Sequence, residues 1–518
     1  MSRGGIARAA AIVALFGVLS RVLGFVREAV FSRTFGTAGE GGGQADALVN
    51  SLFIVNTVAA LLLYALVTIV IPGFEQERSA NGEDSAWRLM WAIGAWVVLG
   101  LVALATITAA WPEGPTALFG LDPARAALMA ELVRIMSAGL ALQGLSALLT
   151  AVLQSQRRYA GPAAVGVAFN LGIILGLAIG GRSVQAAAWG VVAGAGAQVV
   201  LQVPQLVGVL RRSAGRPALR HPRLRRTAVL AVPVLAASLL QQFNGFTDKF
   251  FASSLANGRN AALNYANAAG SAPRTVLLIP LLTPFFPVIS RMFAERREAE
   301  GVTAFDRAAG VLGLVSIPMG IFLMIYPTEV AQILFGGSKC DAGCVDDIAG
   351  PLRFYALAVW PAFIGYLLNR SLSAANRARE VMLATILTVV VTIGLDLALL
   401  GPMGLSGLAL ATAVGIFVNT AVTAWMLARR LPGLSLRGLT ERQGCLVLCG
   451  AIGAATAFAL NTVLPSDGRS NLAAAGLIAV KAIAAAGAYV VAARLVARPE
   501  LAEGARAMRS ITGWRRTA

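Results

Sequence analysis

The stretch SRVLGFVREAVFSRTFG, Ser20 to Gly36, decides how the chain is read, because it lies in the first long apolar run yet carries Arg21, Arg27, Glu28 and Arg33. An ionised side chain near a bilayer centre costs at least about 2.5–3.5 kcal/mol, so such residues face a cavity or a partner rather than lipid. Arg21 and Arg27 stand six positions apart, about 120° around a helix axis and about 9 Å along it, and could line one broad face. Guanidinium groups hold phosphate through forked donors, so a cationic first helix points to an anionic, phosphate-bearing ligand. Long side chains at span ends reach to the interface, and by position Arg33 and Asp46 read that way.

Outward from this stretch the chain is apolar throughout. Its 518 residues are 57% hydrophobic and 13% charged, with a mean hydropathy of +0.73, whereas soluble domains carry about a quarter charged residues. Runs of spanning length, about 20 residues, recur from end to end and define an all-α polytopic membrane protein with fourteen expected spans. They are 8–36, 45–74, 85–111, 124–154, 160–181, 186–210, 227–255, 260–290, 306–335, 348–374, 380–400, 405–428, 443–464 and 471–497. Arg3 and Arg8 before the first run imitate a signal peptide. The run continues into Arg21 with no evident cleavage site and reads as a retained helix.

The net charge of +18 would suggest nucleic acid in a soluble protein. Here the arginines gather in alternate loops, such as RRSAGRPALRHPRLRR and RRLPGLSLRGLTER, while the intervening loops are poor in them. By the positive-inside rule both termini are cytoplasmic. The sole histidine, His221, falls in the most basic loop and reads as a solvated residue. Four cysteines fit no zinc spacing. Cys340 and Cys344 share the outer loop GGSKCDAGCVDD and could form a small disulfide or remain two thiols.

Laid on itself at an offset near 220, the chain repeats: GFVREAVFSRTFG from Gly24 lies on GFTDKFFASSLANG from Gly245, Ala47 on Ala262, Pro72 on Pro287, and the segment from Leu153 on that from Leu372. A six-helix unit keeps both copies in one orientation, related by an axis along the membrane normal. The expected organisation is an N-lobe 1–212, a basic cytoplasmic loop 213–226, a C-lobe 227–430, two further helices in 441–497 and a cytoplasmic tail 498–518. The repeat sets Arg27 against Asp248 and Glu28 against Lys249, opposite charges at matching sites. Further charges fall within spans at Arg274, Arg370 and Asp396. Carboxylates with nearby hydroxyls suit a small cation, so Asp248 and Asp396, with Thr392 one turn before Asp396 and Thr412 in the next span, could hold Na⁺ or H⁺. An ion pair of Asp248 with Lys249 is an equal reading.

The residues SRVLGFVREAVFSRTFG, Asp46–Ala47, SQRRYAGPA with Asn170, DKFFAS at Asp248, NYANAAGSAP and FFPVIS together resemble the MurJ/MviN family of the MOP flippase superfamily. The resemblance implies a fourteen-helix transporter of lipid II, with a cationic cavity between lobes and a groove from the last two helices for the lipid tail. It implies no enzymatic activity and no cofactor beyond a coupling Na⁺ or H⁺. The implied partners are lipid II or a similar undecaprenyl diphosphate-linked glycan and membrane lipids, not nucleic acid. The protein is expected as a monomer of the bacterial cytoplasmic membrane that could associate with cell-wall synthesis proteins.

Carried over residue by residue, Arg21 and Arg27 match the family's first-helix arginines and Asp46 its acidic residue after that helix, all three expected to bind substrate, and Asp248, Asp396 and Thr412 fall where some members hold a cation. The family's second-helix arginine after a Pro-Asn pair is missing, since Asn56 is followed by Ala59 and Ala60. The eighth-helix arginine after Tyr-Ala is missing too, since the chain reads Tyr265, Ala266, Asn267, Ala268. Arg274 could replace one of them. This departure keeps other readings open: a flippase for another polyprenyl-linked glycan or an amphiphile, or a family member without transport. An enzyme acting on polyprenyl phosphates would need carboxylates or histidines on an ordered membrane-side loop, which the short outer loops lack.

Overall fold

The computed structural model describes residues 3–211, 217–282, 285, 298–375, 377–431, 433–464 and 471–496. The expected tail 498–518, Pro287 with the end of the eighth span, and the first part of the basic loop lie outside the described residues.

The described chain is helical. Long Ala/Leu/Val/Gly runs in lipid must satisfy every backbone N–H and C=O internally, and a helix does so within one segment. In the first unit the helices are α1 (Arg3–Phe35), α2 (Gly39–Asn81), α3 (Glu83–Ala110), the short α4 (Glu113–Ala117), α5 (Pro123–Ser155), α6 (Ala160–Ile179), α7 (Val184–Leu210) and α8 (Leu224–Ser253). Next come α9 (Arg259–Pro273), a π-helical turn Arg274–Leu278, α10 (Ile279–Leu282), α11 (Glu298–Ile325), α12 (Pro327–Phe335), α13 (Ala342–Leu357), α14 (Val359–Ala374), α15 (Ala378–Met403), α16 (Leu405–Ala428), α17 (Leu436–Val463) and α18 (Asn471–Val496).

Among the described residues, ten helices are long and apolar enough to cross a membrane, or twelve if the bent pairs Leu224–Leu240 with Gln242–Ser253 and α13 with α14 are each counted as one span. The charged α1 and the segmented run Arg259–Leu282 fall at the first and eighth expected spans, so ten to twelve membrane-length helices among the described residues approximate the fourteen expected. Side chains cap two of the helix starts: Asp122 accepts from Ala124 and Arg125 N–H at 3.1 and 3.0 Å, and Ser183 from Ala186 N–H at 3.1 Å. Such caps satisfy donors that a helix leaves unpaired at its first turn.

The chain divides into two compact units, Met1–Ala261 and Ala262–Ala518. This division falls later than the loop 213–226 that the repeat suggests, because α8 packs on α2 and is held there by side-chain contacts described below. In the first unit α5 lies at the centre, and Phe74 of α2 meets Trp87 of α3 edge to face at 5.5 Å in an apolar cluster with Leu148, Ala151 and Val152 of α5. Helices α6 and α7 pack through small residues. A Cβ on Gly172 would lie 2.3 Å from Gly194 Cα, and one on Gly176 2.6 Å from Gly190 Cα, so only glycine allows this backbone approach. Close contact of this kind drives helix association in lipid, where apolar surface alone gives none.

In the second unit the terminal helices dock through buried polar groups. Gln443 of α17 accepts from Trp360 Nε1 at 2.9 Å and donates to Ala309 O of α11 at 3.1 Å. Tyr326 Oη donates to Ala457 O at 2.8 Å.

Candidate functional site

Helix α1 carries its charge against α6. Arg27 Nη1 donates to Asn170 Oδ1 at 3.0 Å, and Nη2 to Glu28 Oε1 at 2.5 Å. The guanidinium carbon sits 5.9 Å from the Phe31 ring centroid. Asn170 is itself oriented, its Nδ2 donating to Ser20 O at 3.1 Å and Gly166 O at 2.9 Å. The side chain of Arg27 is 15% exposed, and its buried Nε has no acceptor among the described residues. Arg21 is half-buried and Arg33 exposed, in keeping with a place for Arg33 at the span end.

Asp46 has no exposed surface. Its Oδ2 accepts from Gly258 N–H at 2.8 Å and its Oδ1 from Ala261 N–H at 2.8 Å, so a carboxylate of α2 caps the first turn of α9. Negative charge at a helix start is favoured by the helix dipole as well as by the hydrogen bonds. Arg125 Nη1 stands 3.5 Å from Asp46 Oδ2 and is also paired with Asp122. Gly258 has φ +83°, and a Cβ there would overlap Thr37 O, so this turn requires glycine. One turn along α2, Asn50 donates to Ser253 Oγ at 3.1 Å and accepts from Asn260 Nδ2. Lys249 Nζ lies 5.4 Å from the Phe53 ring centroid. Asp46 thus joins α2 to the α8–α9 turn rather than standing open to a ligand.

Asp248 is half-buried on α8 in the first unit. Thr392 and Asp396, one turn apart on α15, have no exposed surface, and Thr412 of α16 is half-buried. A Cβ on Gly415 would lie 2.2 Å from Thr392 Oγ1, so this glycine makes the room that the hydroxyl occupies. The oxygen-rich stripe continues one turn back along α15: Thr388 Oγ1 accepts from Asn419 Nδ2 at 3.1 Å, and Asn419 Oδ1 from Asn369 Nδ2 at 3.1 Å. Carboxylate, hydroxyl and amide oxygens are hard ligands, chemically suited to Na⁺ or a proton.

Arg274 opens the π-helical turn directly after Pro273 and is exposed. Arg370 donates to Tyr366 Oη from Nε at 3.1 Å and Nη2 at 2.9 Å. Cys340 and Cys344 are joined as a disulfide, with Cα atoms 5.0 Å apart. Asp341, between them, caps α13 by accepting from Cys344 N–H at 3.1 Å.

Sequence reasoning missed three features. Arg125 hides beside the helix-start signal Asp122-Pro123, which accounts for it locally. Lys481 lies in an alanine-rich run, yet it has no exposed surface; its Nζ donates to Asn461 Oδ1 at 2.8 Å and lies 5.7 Å from the Tyr326 ring centroid.

The third is a buried polar cluster around His221, which corrects the expectation of a solvated loop residue. The His221 and Glu77 side chains are 7% and 1% exposed. Glu77 accepts from Ser85 Oγ and Asn81 Nδ2, both at 2.7 Å, and pairs with Arg223 Nε at 2.8 Å. Arg223 N–H donates to His221 Nδ1 at 3.2 Å, which places the ring proton on Nε2, facing Ser85 Oγ at 3.3 Å. The loop folds back because a carboxylate on α2 needs these donors. Burial pushes His221 below its ordinary value of 6.5, helped by Arg88 and Arg223 against the pull of Glu77. A lowered folded value means that the unfolded chain binds the proton more readily. The contribution of His221 is therefore present above about pH 6.5 and declines as the pH falls below it. Thermal unfolding midpoints of wild type and His221→Gln should converge between pH 7.5 and 5.5, values chosen to bracket the ordinary imidazole range; parallel curves would refute this.

The family model described as "Lipid II flippase MurJ" matches residues 96–469. The lipid II flippase MurJ of Burkholderia cenocepacia is 25% identical over 440 residues, covering 82% of this chain and 84% of that protein. A probable lipid II flippase MurJ of Rhizobium meliloti is 28% identical over 490 residues, covering 89% of each. Among solved structures, a lipid II flippase MurJ in an inward closed conformation shares the fold with a TM-score of 0.79 at 16% identity, over 94% of this chain and 99% of that one. An inward-facing multidrug resistance MATE transporter of the MOP superfamily gives 0.68 at 14% identity, over 83% and 99%. With the family model spanning well over half its length, and its membrane-spanning helices in place, this chain belongs to the lipid II flippase MurJ family.

Proposed function

We propose that this multi-pass membrane protein moves lipid II from the cytoplasmic to the outer leaflet of the bacterial cytoplasmic membrane by alternating access, as a transporter and not an enzyme. The observation that carries the reading is Arg27: a guanidinium inside an apolar span, oriented by Asn170 and Glu28, with a buried Nε donor unspent among the described residues. Arg21 shares its helix, and these two are the diphosphate contacts of the proposal, with Arg274 a third cation and Asp46 positioning α9. Thr392, Asp396 and Thr412 are the cation-coupling set, with Asp248 as the first unit's carboxylate. Both termini are cytoplasmic, the lobes 1–212 and 227–430 are the moving repeats, and the protein acts as a monomer that associates with cell-wall synthesis proteins.

The test is leaflet exchange of fluorescent lipid II by the purified protein in vesicles, with and without Na⁺ and proton gradients. Lipid II should cross, faster with one gradient than without, and Asp396→Asn should remove that dependence while leaving the fold intact. Absence of lipid II transport under every gradient would overturn the reading.

A second reading is favoured by one observation. The family's arginines in the second and eighth helices are absent, with Ala59–Ala60 and Asn267–Ala268 in their places. A cavity with fewer cations suits a different undecaprenyl-linked glycan, and an undecaprenyl-linked saccharide without the pentapeptide would then cross in preference to lipid II.

A further inference from the structure

A cavity of about 850 Å³ opens in the first unit between the second half of α2 and the first turns of α8, with Leu89 of α3 as part of its wall. This lies within the range of pockets that enclose small ligands, about 300–1,000 Å³. Its lining is graded. Ile69, Leu230 and Val234 form an apolar part, and Arg223, Arg226 and Glu75 a charged part.

The charges do not cancel. Glu75 is paired with Arg78 at 2.6 Å, and Arg223 with the buried Glu77 at 2.8 Å. Arg226, exposed on the first turn of α8, forms no ion pair among the described residues and leaves the mouth positive. The neighbouring Arg225 is exposed as well.

The mouth is also built in advance. Glu77, Ser85 and His221 fix Arg223 and the loop before it, so little ordering remains to be done when a ligand arrives. Beyond the mouth, Val229, Leu230 and Val232 are 63%, 55% and 66% exposed on α8. Large apolar side chains left open on a membrane helix are surface for acyl chains.

We propose that this cavity binds an anionic phospholipid, with its phosphate headgroup at Arg226 and Arg223 and the upper part of an acyl chain against Ile69, Leu230 and Val234. A basic mouth at the end of a span, continuous with an apolar wall, matches the two ends of such a molecule and repels neither. A zwitterionic phospholipid would fill the wall equally well and gain less at the mouth. The proposal does not depend on which cargo the protein carries.

The experiment places a photoreactive p-benzoylphenylalanine in place of Leu230 in the full-length protein, in nanodiscs of phosphatidylcholine containing a minor fraction of phosphatidylglycerol. Intact-mass analysis after irradiation counts the adducts of each lipid. Per mole of lipid, phosphatidylglycerol should be captured about fivefold more than phosphatidylcholine, the ratio expected for one basic residue near an anionic headgroup. Arg226→Glu should abolish that preference and Arg226→Lys should keep it, with Arg226 exposed so that neither change threatens the fold. Equal capture of the two lipids, or a preference that Arg226→Glu leaves unchanged, would overturn the proposal. So would preferential capture of added undecaprenyl diphosphate over phosphatidylglycerol, which would assign the cavity to the cargo.

Discussion

Arg27→Ala is expected to lower lipid II flipping in vesicles by about 30-fold or more, because truncating one member of a buried, hydrogen-bonded charge pair costs about 2–5 kcal/mol. The loss has two sources that further variants separate. Arg27→Lys keeps the positive charge but not the fork that meets two phosphate oxygens, and should recover only part of the rate. Asn170→Ala keeps the guanidinium but removes the acceptor 3.0 Å from Nη1, so it should cost less than Arg27→Ala and leave the preference for diphosphate-linked lipid in place. Equal amounts of folded protein for all three are the control. If Arg27→Ala flips at the wild-type rate, the first-helix arginine is a structural residue and the cargo contacts must be sought elsewhere.

The second large effect is on stability. Asp46→Ala removes the acceptor for the N–H groups of Gly258 and Ala261. Each buried donor left unpaired costs about 1–3 kcal/mol, so the loss is about 2–6 kcal/mol. Asp46→Asn keeps one carbonyl oxygen and loses the charge beside Arg125, and should fall between alanine and wild type. Thermal unfolding in detergent gives the order directly, and a wild-type midpoint for Asp46→Ala would show that the cap contributes nothing. Gly258→Ala should destabilise in the same direction through a different cause, since its φ of +83° and the nearby Thr37 carbonyl leave no space for a Cβ. Because Asp46 and Gly258 share one turn, their double variant should lose less than the sum of the two.

The spans were legible in the sequence because a bilayer admits few solutions. A run of about 20 apolar residues can satisfy its backbone only as a helix, and an expectation of fourteen spans from composition and spacing comes close to the ten to twelve membrane-length helices among the described residues. Helix breaks were less legible. The bend between α13 and α14 is 45°, and the π-helical turn at Arg274 interrupts a stretch that reads as continuous; both depend on packing against neighbours.

Charged residues in spans could be found by their cost, which is how Arg21, Arg27, Asp248, Arg274 and Asp396 stand out. What each one does could not be read the same way. Asp46 and Arg33 look alike as residues at span ends, yet one is fully buried and the other exposed. Lys481 was hidden by its alanine-rich context, and His221 by a loop so basic that a solvated reading was natural.

By itself, the sequence of this protein determined the membrane-spanning class, the approximate number of spans, the family and the identity of the costly polar groups, all of which follow from local hydropathy and residue chemistry. Only the tertiary structure decided their partners: Asp46 on the first turn of α9, Glu77 beneath Arg223 and His221, Thr392 over Gly415. The physical reason is separation along the chain. Asp46 meets donors 212 and 215 residues away, and whether a buried charge caps a helix, seals a loop or waits for a ligand depends on the groups that folding brings to it.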